Sequence, residues 1–270
     1  MIPDADLAAL LVSLDRDSRL LLSHVLDKSS AFLYTHPEYV PSQEQREHFE
    51  GLLRRYQCGE PLAYLIGSQP FWTLDLAVSD QALIPRSETE QLVRIVLQHI
   101  PPDANWQIAD LGTGSGAIAL SIARERPLCT VVATDYSVSA LALAKQNAER
   151  YSVTNVQFRQ GDWFQALSEK YHLIVSNPPY IAATDPDLQK DSLRYEPMRA
   201  LVSGQTGLES LETLIRGAEK YLLSSGWLLL EHGYDQALPV RRLLKKAGFV
   251  GGRLYCDDAG HPRLTEARLV

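Results

Sequence analysis

Segments with the pattern of β-strands alternate with helical segments from about residue 86 to the end of the chain. Such alternation is typical of a parallel sheet covered by helices on both faces, so we predict the doubly wound α/β class. Ligands bind such sheets at the carboxyl ends of the strands, which makes residues just after strands the first candidates for a site. The predicted strands are Trp106–Leu111, Thr130–Thr134, Val156–Gln160, Leu173–Ser176, Trp227–Glu231, Arg253–Cys256 and Glu266–Val270, and the predicted helices are Glu88–His99, Ala117–Arg126, Ser137–Tyr151, Leu208–Leu223 and Asp235–Ala247.

The beginning of the chain has helical patterns without intervening strands. Four leucines between Leu7 and Leu14 fall on one face of a helix, and a second helix is predicted near Ser18–Leu26. Ser42 and Gln45 have the spacing of a capping box, which predicts the start of another helix. This part of the chain is therefore expected to form a small helical bundle.

The pattern changes at Phe71–Val78, where apolar and polar residues alternate as in extended structure. This segment predicts a β-hairpin at the junction between two domains. We therefore expect three parts: a helical N-terminal domain over residues 1–70, a hairpin linker over residues 71–85, and an α/β domain over residues 86–270.

The charge distribution argues against sequence-independent binding to nucleic acid. The 270 residues carry 33 acidic and 26 basic side chains, a net charge of −7. Residues 1–75 hold 11 acidic and 6 basic side chains, and neither this part nor the remainder has a run of Lys and Arg. A strong field for phosphate is therefore not expected, and we predict no direct nucleic-acid partner.

Cysteine, histidine and hydropathy patterns exclude several other classes of protein. Three cysteines occur without a CxxC pair, and seven histidines occur without an HExxH-like spacing, so we expect neither a disulfide framework nor a metal. No apolar run approaches the roughly 18 residues that span a bilayer. The chain also starts without a basic signal-peptide region. We therefore expect a cytoplasmic protein with no membrane contact.

A glycine-rich turn follows the first predicted α/β-domain strand, and a helix begins directly after it. Glycines allow a tight turn and close approach of a ligand, and the first turn of the helix offers free N–H groups. Alone, this pattern indicates a nucleotide-like ligand, although a tight strand-to-helix turn can have it without binding anything. The candidate ligand-contacting residues of the turn are Gly112, Thr113, Gly114, Ser115 and Gly116.

Carboxylates near this turn favour one nucleotide-like ligand over others. Asp135 ends the second strand, where it can accept hydrogen bonds from ribose hydroxyls, and Asp162 and Trp163 follow the third, where they can flank an adenine ring. Asp110, just before the turn, would repel a phosphate but suit a cation. S-adenosylmethionine has a sulfonium and an ammonium and no phosphate, so it is favoured over NAD.

The fourth predicted strand ends in Asn177-Pro178-Pro179-Tyr180. Prolines commonly end strands, so this segment could be an ordinary strand exit. It also suits a planar –NH₂ group: the Asn177 side-chain oxygen and the Pro178 carbonyl can accept its two hydrogens, and Tyr180 can pack on its face. Accepting both hydrogens localises the nitrogen lone pair for attack on a methyl group. We therefore predict Asn177, Pro178 and Tyr180 as catalytic, and all four residues as substrate-binding.

Together, these motifs resemble the PrmC/HemK family of protein-glutamine methyltransferases, which modify class I peptide chain release factors. The resemblance covers essentially the whole chain. One departure is Ser87, where the family usually has proline. The segments that carry the resemblance are Gly59–Gly67 with Phe71, Leu83–Glu90, Asp110–Gly116, Asn177–Tyr180, Glu196-Pro197 with Ala200-Leu201, and Glu231-His232-Gly233.

The resemblance implies a fold, a reaction and a partner. The fold would be the Rossmann-like class I methyltransferase domain, with a mostly parallel seven-stranded sheet. The enzyme would methylate the glutamine of the release factor's Gly-Gly-Gln motif, convert S-adenosylmethionine to S-adenosylhomocysteine, grip the factor with its helical domain, and act as a monomer. Gly112–Gly116, Asp135, Trp163 and Asn177 would contact S-adenosylmethionine, and Asn177–Tyr180 would contact the glutamine; Asp162 is predicted from its strand position alone.

Three alternative functions remain open at this point. One is a scaffold that binds S-adenosylmethionine without catalysis, although the presence of Asn177 and Tyr180 counts against it. A DNA adenine methyltransferase would use the same Asn177–Tyr180 segment on a flipped base, although the net charge and the missing basic groove count against it. An NAD-dependent oxidoreductase would explain the glycine turn and Asp135 but would leave Asn177–Tyr180 unused.

For two further pairs of residues, the sequence predicts a role in the site less specifically. Arg86 and Glu88 either order the wall near the methionine end of the ligand or form a charge pair at a helix start. Glu231 and His232 are expected to be structural.

Overall fold

The computed structural model describes residues 6–189 and 192–270. The described residues of Met1–Ser68 and Asp191–Tyr195 form one compact unit, and those of Gln69–Lys190 and Glu196–Val270 form the other. We refer to them as the helical unit and the α/β unit.

The helical unit is built from short helices around a leucine-rich core. Its capping box is present as predicted, because the Gln45 amide donates to Ser42 Oγ (3.2 Å) and the Ser42 amide donates to Gln45 Oε1 (2.9 Å). The first helix ends at Leu11, so Leu14 lies outside it. Among the described residues, the helices are α1 (Leu7–Leu11), α2 (Arg16–Leu26), α3 (Ser30–Thr35), α4 (Gln43–Gln57) and α5 (Leu62–Ile66), and α3 and α5 were not predicted.

A two-stranded hairpin follows, with strands β1 (Ser68–Phe71) and β2 (Leu74–Ala77). It begins three residues before the predicted extended segment. Trp72 in the turn has a positive φ of 56°, as tight hairpin turns require.

The α/β unit contains a seven-stranded sheet in the order β5-β4-β3-β6-β7-β9-β8. Strands β3 to β7 pair in parallel, whereas β9 is antiparallel to both β7 and β8. This architecture confirms the predicted α/β class and the mostly parallel seven-stranded sheet. Its elements are α6 (Ser87–His99), β3 (Gln107–Leu111), α7 (Ala117–Glu125), β4 (Thr130–Asp135), α8 (Val138–Arg150), β5 (Val156–Gln160), β6 (Tyr171–Ser176), α9 (Met198–Leu201), α10 (Glu209–Tyr221), β7 (Leu222–Glu231), α11 (Ala237–Lys246), β8 (Phe249–Cys256) and β9 (Pro262–Leu269).

Both faces of this sheet are buried. Successive side chains of a strand point to opposite faces, and in β3 Ile108 belongs to one core cluster while Ala109 and Leu111 belong to another. Burial on both faces explains why the central strands are almost continuously apolar.

The position of β3 determines where a ligand can bind. Its neighbours are β4 on one side and β6 on the other, so the chain order reverses at β3. At such a point the loops after adjacent parallel strands separate and leave a crevice. The glycine turn, Asp135 and Asn177 directly follow or end these three strands, so the topology brings them to one edge.

Candidate active site

A cavity of about 600 Å³ lies within the α/β unit. This volume is in the range of clefts that hold small molecules. Most of the predicted site residues contribute to its wall. Those that line it are Gly112, Thr113, Gly114, Ser115, Asp135, Asp162, Trp163, Asn177 and Pro179.

Three predicted site residues do not line the cavity: Gly116, Pro178 and Tyr180. Pro178 is buried. Tyr180 is half-buried against the second core cluster, and its hydroxyl lies 3.5 Å from Glu231 Oε1, at the outer limit of a hydrogen bond. Stacking of the Tyr180 ring on a substrate therefore stays a prediction.

Gly116 shapes the glycine turn from behind. It precedes α7 with a φ of 87°, a conformation that other residues rarely adopt. A Cβ at this position would stand 3.0 Å from Leu120 Cδ1 and 3.2 Å from Ala144 Cβ. Glycine is therefore needed here for close packing of α7 and α8.

Gly112 keeps the space in front of the turn free. Its φ is 76°, and an added Cβ would stand 3.5 Å from the Trp163 indole. The amides of Gly112 and Thr113 both donate to the Thr134 carbonyl at 2.9 Å, which ties the turn to the end of β4. These backbone hydrogen bonds thus fix the position of the turn beside the Trp163 indole.

Asp110 braces the turn from inside the protein. Its side chain is fully buried, and Oδ2 accepts hydrogen bonds from Thr113 Oγ1 (2.7 Å) and the Ala119 amide (3.2 Å). Burial raises the pKa of this carboxyl to about 7. Asp110 is not among the cavity-lining residues, so the interpretation that it directly faces a cationic ligand is not supported.

Asp135 connects the end of β4 to the glycine turn. Its Oδ2 accepts from the Gly114 amide at 2.9 Å and its Oδ1 from the Ser137 amide at 2.8 Å. Burial raises the pKa of Asp135 despite these hydrogen bonds. A carboxylate has about four lone-pair sites, so Asp135 retains capacity to accept hydrogen bonds from a ligand.

Asn177 is held by a chain of hydrogen bonds that the sequence did not predict. Its Nδ2 donates to Thr89 Oγ1 (3.1 Å), and the Thr89 hydroxyl donates to Glu231 Oε2 (2.8 Å). Glu231 is only 2% exposed, and burial raises its pKa to about 7. Thr89 falls within the segment that carries the family resemblance, but its spacing from Asn177 offers no local signal of contact.

Arg86 takes a partner that neither sequence interpretation considered. It precedes α6, lines the cavity, and forms an ion pair with Glu196. The buried Glu196 carboxylate also accepts from the Ile84 amide at 3.0 Å. Glu88 accepts a hydrogen bond from Ser87 Oγ at 3.1 Å. The ion pair therefore joins one wall of the cavity to a residue 110 positions further along the chain.

Further lining residues are ones for which the sequence predicted no role in the site. Tyr136 directly follows Asp135, and Met198 and Arg199 belong to α9. The Arg199 guanidinium lies 4.9 Å from the centre of the Tyr136 ring, within cation–π range. Tyr136 could have been found from its position after a strand, whereas α9 reaches the cavity only through the tertiary fold.

The residues present fit S-adenosylmethionine. Asp135 can accept from ribose hydroxyls, Trp163 offers an aromatic face for adenine, and Gly112 leaves the space between them free. The described lining contains neither lysine nor histidine, and its two arginines, Arg86 and Arg199, are engaged by Glu196 and Tyr136. A pyrophosphate would therefore find no cluster of cations at the glycine turn.

Two further features of residues 6–189 and 192–270 concern metal ligands and membrane spans. No group of three or more His, Cys, Asp or Glu in these ranges could hold a metal ion. None of their helices is both long and apolar enough to cross a bilayer.

Comparison with known proteins defines the class. The family model "Methyltransferase small domain" matches residues 79–192. Among solved structures, a methyltransferase from Pyrococcus furiosus has a TM-score of 0.55 at 17% identity, over 81% of this chain and 98% of that chain. A Thermus thermophilus 16S rRNA methyltransferase in complex with AdoMet and guanosine has a TM-score of 0.54 at 17% identity, over 75% of this chain and 50% of that chain. The fold is that of a class I methyltransferase, and the matched domain is a methyltransferase domain.

Sequence relatives narrow the class to one family. The model "PrmC N-terminal domain" matches residues 7–67. A release factor glutamine methyltransferase of Xylella fastidiosa (strain Temecula1) is 48% identical over 98% of each chain. Those of Aliivibrio fischeri and Escherichia coli are 45% and 41% identical, each over 94% of this chain and 90% or 91% of theirs. The chain belongs to the release factor glutamine methyltransferase family, as its motifs indicated.

Proposed function

We propose that this protein transfers a methyl group from S-adenosylmethionine to the side-chain amide nitrogen of the glutamine in the Gly-Gly-Gln motif of class I release factors. The observation that carries the proposal is that Asn177 lines the same cavity as the glycine turn in a chain of this family. The relatives of this chain are release factor glutamine methyltransferases, and this family membership disfavours the DNA adenine alternative. The described cavity lining has no cluster of cations for a pyrophosphate, which disfavours an NAD-dependent reaction.

The chemistry is divided between the methyl donor and the protein. Bound S-adenosylmethionine supplies a methyl group on a positively charged sulfur and leaves as S-adenosylhomocysteine. Asn177 Oδ1 and the Pro178 carbonyl accept the two amide hydrogens of the glutamine and direct its nitrogen lone pair toward the methyl carbon. In the transfer, the new N–C bond would form as the C–S bond broke with its electron pair kept by sulfur, and the methylated nitrogen would then lose one hydrogen as a proton to water. Catalysis by these residues consists of positioning and hydrogen bonding.

The remaining site residues are assigned to donor and substrate. Asp135 accepts from the ribose hydroxyls, and Asp162 and Trp163 flank the adenine. Pro179, which lines the cavity, would form the wall against the glutamine side chain. Contact of the Tyr180 ring with the glutamine stays a prediction, because Tyr180 does not line the cavity. The residues of the turn that line the cavity and would lie along the donor are Gly112, Thr113, Gly114 and Ser115. Gly116 would support the turn from behind.

The proposal also covers the binding partner, the oligomeric state and the location in the cell. The helical unit would bind the body of the release factor, whose glutamine then enters the α/β unit. The enzyme would act as a monomer in the cytoplasm, without a metal and without direct contact to nucleic acid. The net negative charge of residues 1–75 fits a protein partner better than a nucleic acid.

A methyl-transfer assay tests the reaction. Labelled S-adenosylmethionine is offered with a purified release factor, with its variant in which the motif glutamine is alanine, and with unmethylated duplex DNA. Label on the unaltered factor alone is expected. Label on DNA would instead support the adenine methyltransferase, and label on the alanine variant would place the methyl group on another residue.

Replacement of Asn177 tests the proposed catalytic role. Asn177→Ala is expected to abolish turnover, because one amide hydrogen of the glutamine loses its acceptor, while S-adenosylmethionine still binds. Initial rates and equilibrium dialysis measure the two properties. Asn105→Ala, at an exposed asparagine of the same unit, serves as the control and should retain activity. Near-normal turnover of Asn177→Ala would contradict the mechanism.

A further inference from the structure

We propose that Thr89 and Glu231 are positioning residues that fix the Asn177 amide with its oxygen toward the substrate nitrogen. They would thereby make the site selective for an N–H donor. The inference rests on the proposed function, because it assigns a role to the acceptor oxygen of Asn177.

The fold brings the three residues together from separate elements. Strands β6 and β7 are parallel neighbours in which Ser176 pairs with Leu230, so the following residues, Asn177 and Glu231, end their strands side by side. Thr89 lies in the first turn of α6, and it is 4% exposed. The hydroxyl of Thr89 thus stands between the carboxylate and the amide in an environment almost closed to water.

The number of available protons determines how the Asn177 amide is turned. A threonine hydroxyl has a single proton to donate. Thr89 gives this proton to Glu231 Oε2 at 2.8 Å, so toward Asn177 its oxygen can only accept. The Asn177 group at 3.1 Å must therefore be Nδ2, and Oδ1 is left for the cavity.

This orientation has a consequence for substrate selection. With Oδ1 toward the cavity, Asn177 accepts a hydrogen bond from an amide –NH₂ group. If the Asn177 amide were reversed, its N–H groups would face the N–H groups of the glutamine. Donors would then lack acceptors in a buried site, which costs free energy. A carboxylate substrate would meet the opposite problem, because its lone pairs would face Oδ1. A site built for an N–H group rejects an analogue without one.

The protonation state of Glu231 couples the arrangement to pH. Burial raises the pKa of Glu231 to about 7. The charge of Arg263 on β9 opposes this rise, and the charge of Glu88 on α6 adds to it. The hydroxyls of Thr89 and Tyr180 face the carboxylate. When Glu231 is protonated, it can donate to Thr89 Oγ1. The Thr89 proton is then free to turn toward Asn177, and the amide loses its fixed direction. Turnover should therefore fall as the pH drops through the pKa of Glu231.

Three variants separate this role from simple structural support. Thr89→Val has nearly the same shape but lacks the hydroxyl, and we expect kcat on the release factor to fall about tenfold to a hundredfold. The dissociation constant for S-adenosylmethionine should change far less, and Thr89→Ser should recover most of the lost rate. Glu231→Gln should lower kcat and also remove the decline at low pH, because glutamine does not titrate.

The measurements are kcat and KM for the release factor between about pH 5.5 and 9, the affinity for S-adenosylmethionine, and the midpoint of thermal unfolding. A release factor that the unaltered enzyme binds but does not methylate, with S-adenosylmethionine still bound, would overturn the proposed function itself. An active unaltered enzyme combined with an unchanged kcat for Thr89→Val would overturn the positioning role alone. So would an unchanged low-pH decline in Glu231→Gln, even if Thr89→Val failed to fold.

Discussion

At the scale of single residues, burial determines the pKa values of the carboxyl groups of Asp110 and Glu231. Each is almost inaccessible to water, and burial raises the pKa of each to about 7. Each also accepts a hydrogen bond from a threonine hydroxyl, Asp110 from Thr113 and Glu231 from Thr89. A buried carboxyl of this kind holds the threonine hydroxyl in one orientation. When the carboxyl ionises, the buried charge lowers the stability of the folded protein.

Asp110 predicts a measurable pH dependence of folding. Its pKa is about 7 in the folded protein and near 3.8 without burial, so between these values the folded state holds a proton that the unfolded chain releases. The contribution of Asp110 to the free energy of unfolding should therefore decrease as the pH rises from about 4 to about 7. Asp110→Asn removes this contribution, and denaturant titrations across that window should show a flatter dependence than in the unaltered protein.

The control for this experiment is Asp103→Asn, at an exposed aspartate of the same unit. It should leave the slope of stability against pH as it is in the unaltered protein. Parallel curves for Asp110→Asn and the unaltered protein would show that Asp110 does not hold the extra proton.

Gly116 predicts a stability loss with two separable causes. In Gly116→Ala, an alanine must adopt the left-handed backbone conformation, which should cost about 1–2 kcal/mol of folding free energy. Its Cβ must also fit 3.0 Å from Leu120 and 3.2 Å from Ala144, which should cost about 1–3 kcal/mol more. Gly248 has a similar φ of 84°, but nothing lies within 4 Å of an added Cβ. Gly248→Ala should therefore lose only the first amount. Equal losses in free energies of unfolding would mean that packing of α7 on α8 does not require glycine.

At the scale of elements, Asn147 on α8 connects the hairpin to the glycine turn. Its side chain is fully buried, donates to the carbonyls of Ala77 (3.0 Å) and Ser115 (2.9 Å), and accepts from the Ala77 amide (2.8 Å). A segment at the edge of the α/β unit is thereby tied to a residue that lines the cavity.

Asn147→Ala should weaken both folding and ligand binding. Three hydrogen bonds are lost, one buried and two partly buried, and their backbone partners become unsatisfied, so we expect a loss of about 2–5 kcal/mol in the free energy of unfolding. The affinity for S-adenosylmethionine should also fall, because the Ser115 carbonyl loses its anchor. Gln146→Ala, at an exposed position of the same helix, is the matched control. Calorimetry that finds normal binding in Asn147→Ala would show that the turn holds its shape without this side chain.

At the scale of the whole molecule, the two compact units suggest a division of labour between partner binding and chemistry. All the residues that line the cavity belong to the α/β unit. The helical unit adds its own apolar core and the acidic side chains of the early chain. Docking of the release factor by the helical unit is thus a separable part of the proposed function.

Removal of residues 1–67 tests this division. Methylation of an intact release factor should fall by more than tenfold, whereas S-adenosylmethionine binding should persist. A short peptide with the Gly-Gly-Gln motif should lose much less, because it lacks the body of the release factor that the helical unit would bind. Unchanged methylation of the intact factor would refute the docking role.

The end point of this deletion follows from the hairpin. The backbone of Asp75 exchanges hydrogen bonds with the Tyr151 hydroxyl at 2.7 and 2.8 Å, and Ala77 is bonded to Asn147. A deletion through residue 75 would break these contacts and confound docking with folding. Ending it at Gly67 leaves both hairpin strands in place.

The sequence by itself determined the features that depend on neighbours along the chain. Strand alternation gave the α/β class, the Ser42 capping box marked the start of α4, and the glycine turn marked the ligand edge of β3. Local periodicity failed where pairing with a distant strand competed with it. The predicted helix through Leu223 ends at Tyr221, because Leu222 pairs with Tyr171 and begins β7 instead.

Only the tertiary structure decided how the site residues are oriented. The ion pair of Arg86 with Glu196 and the hydrogen-bond chain from Asn177 through Thr89 to Glu231 join residues that lie 88 to 142 positions apart in the sequence. No local pattern encodes such contacts, since they depend on which strands become neighbours. The motif therefore specifies which chemical groups are present, and the packing of β6, β7 and α6 specifies which way they face.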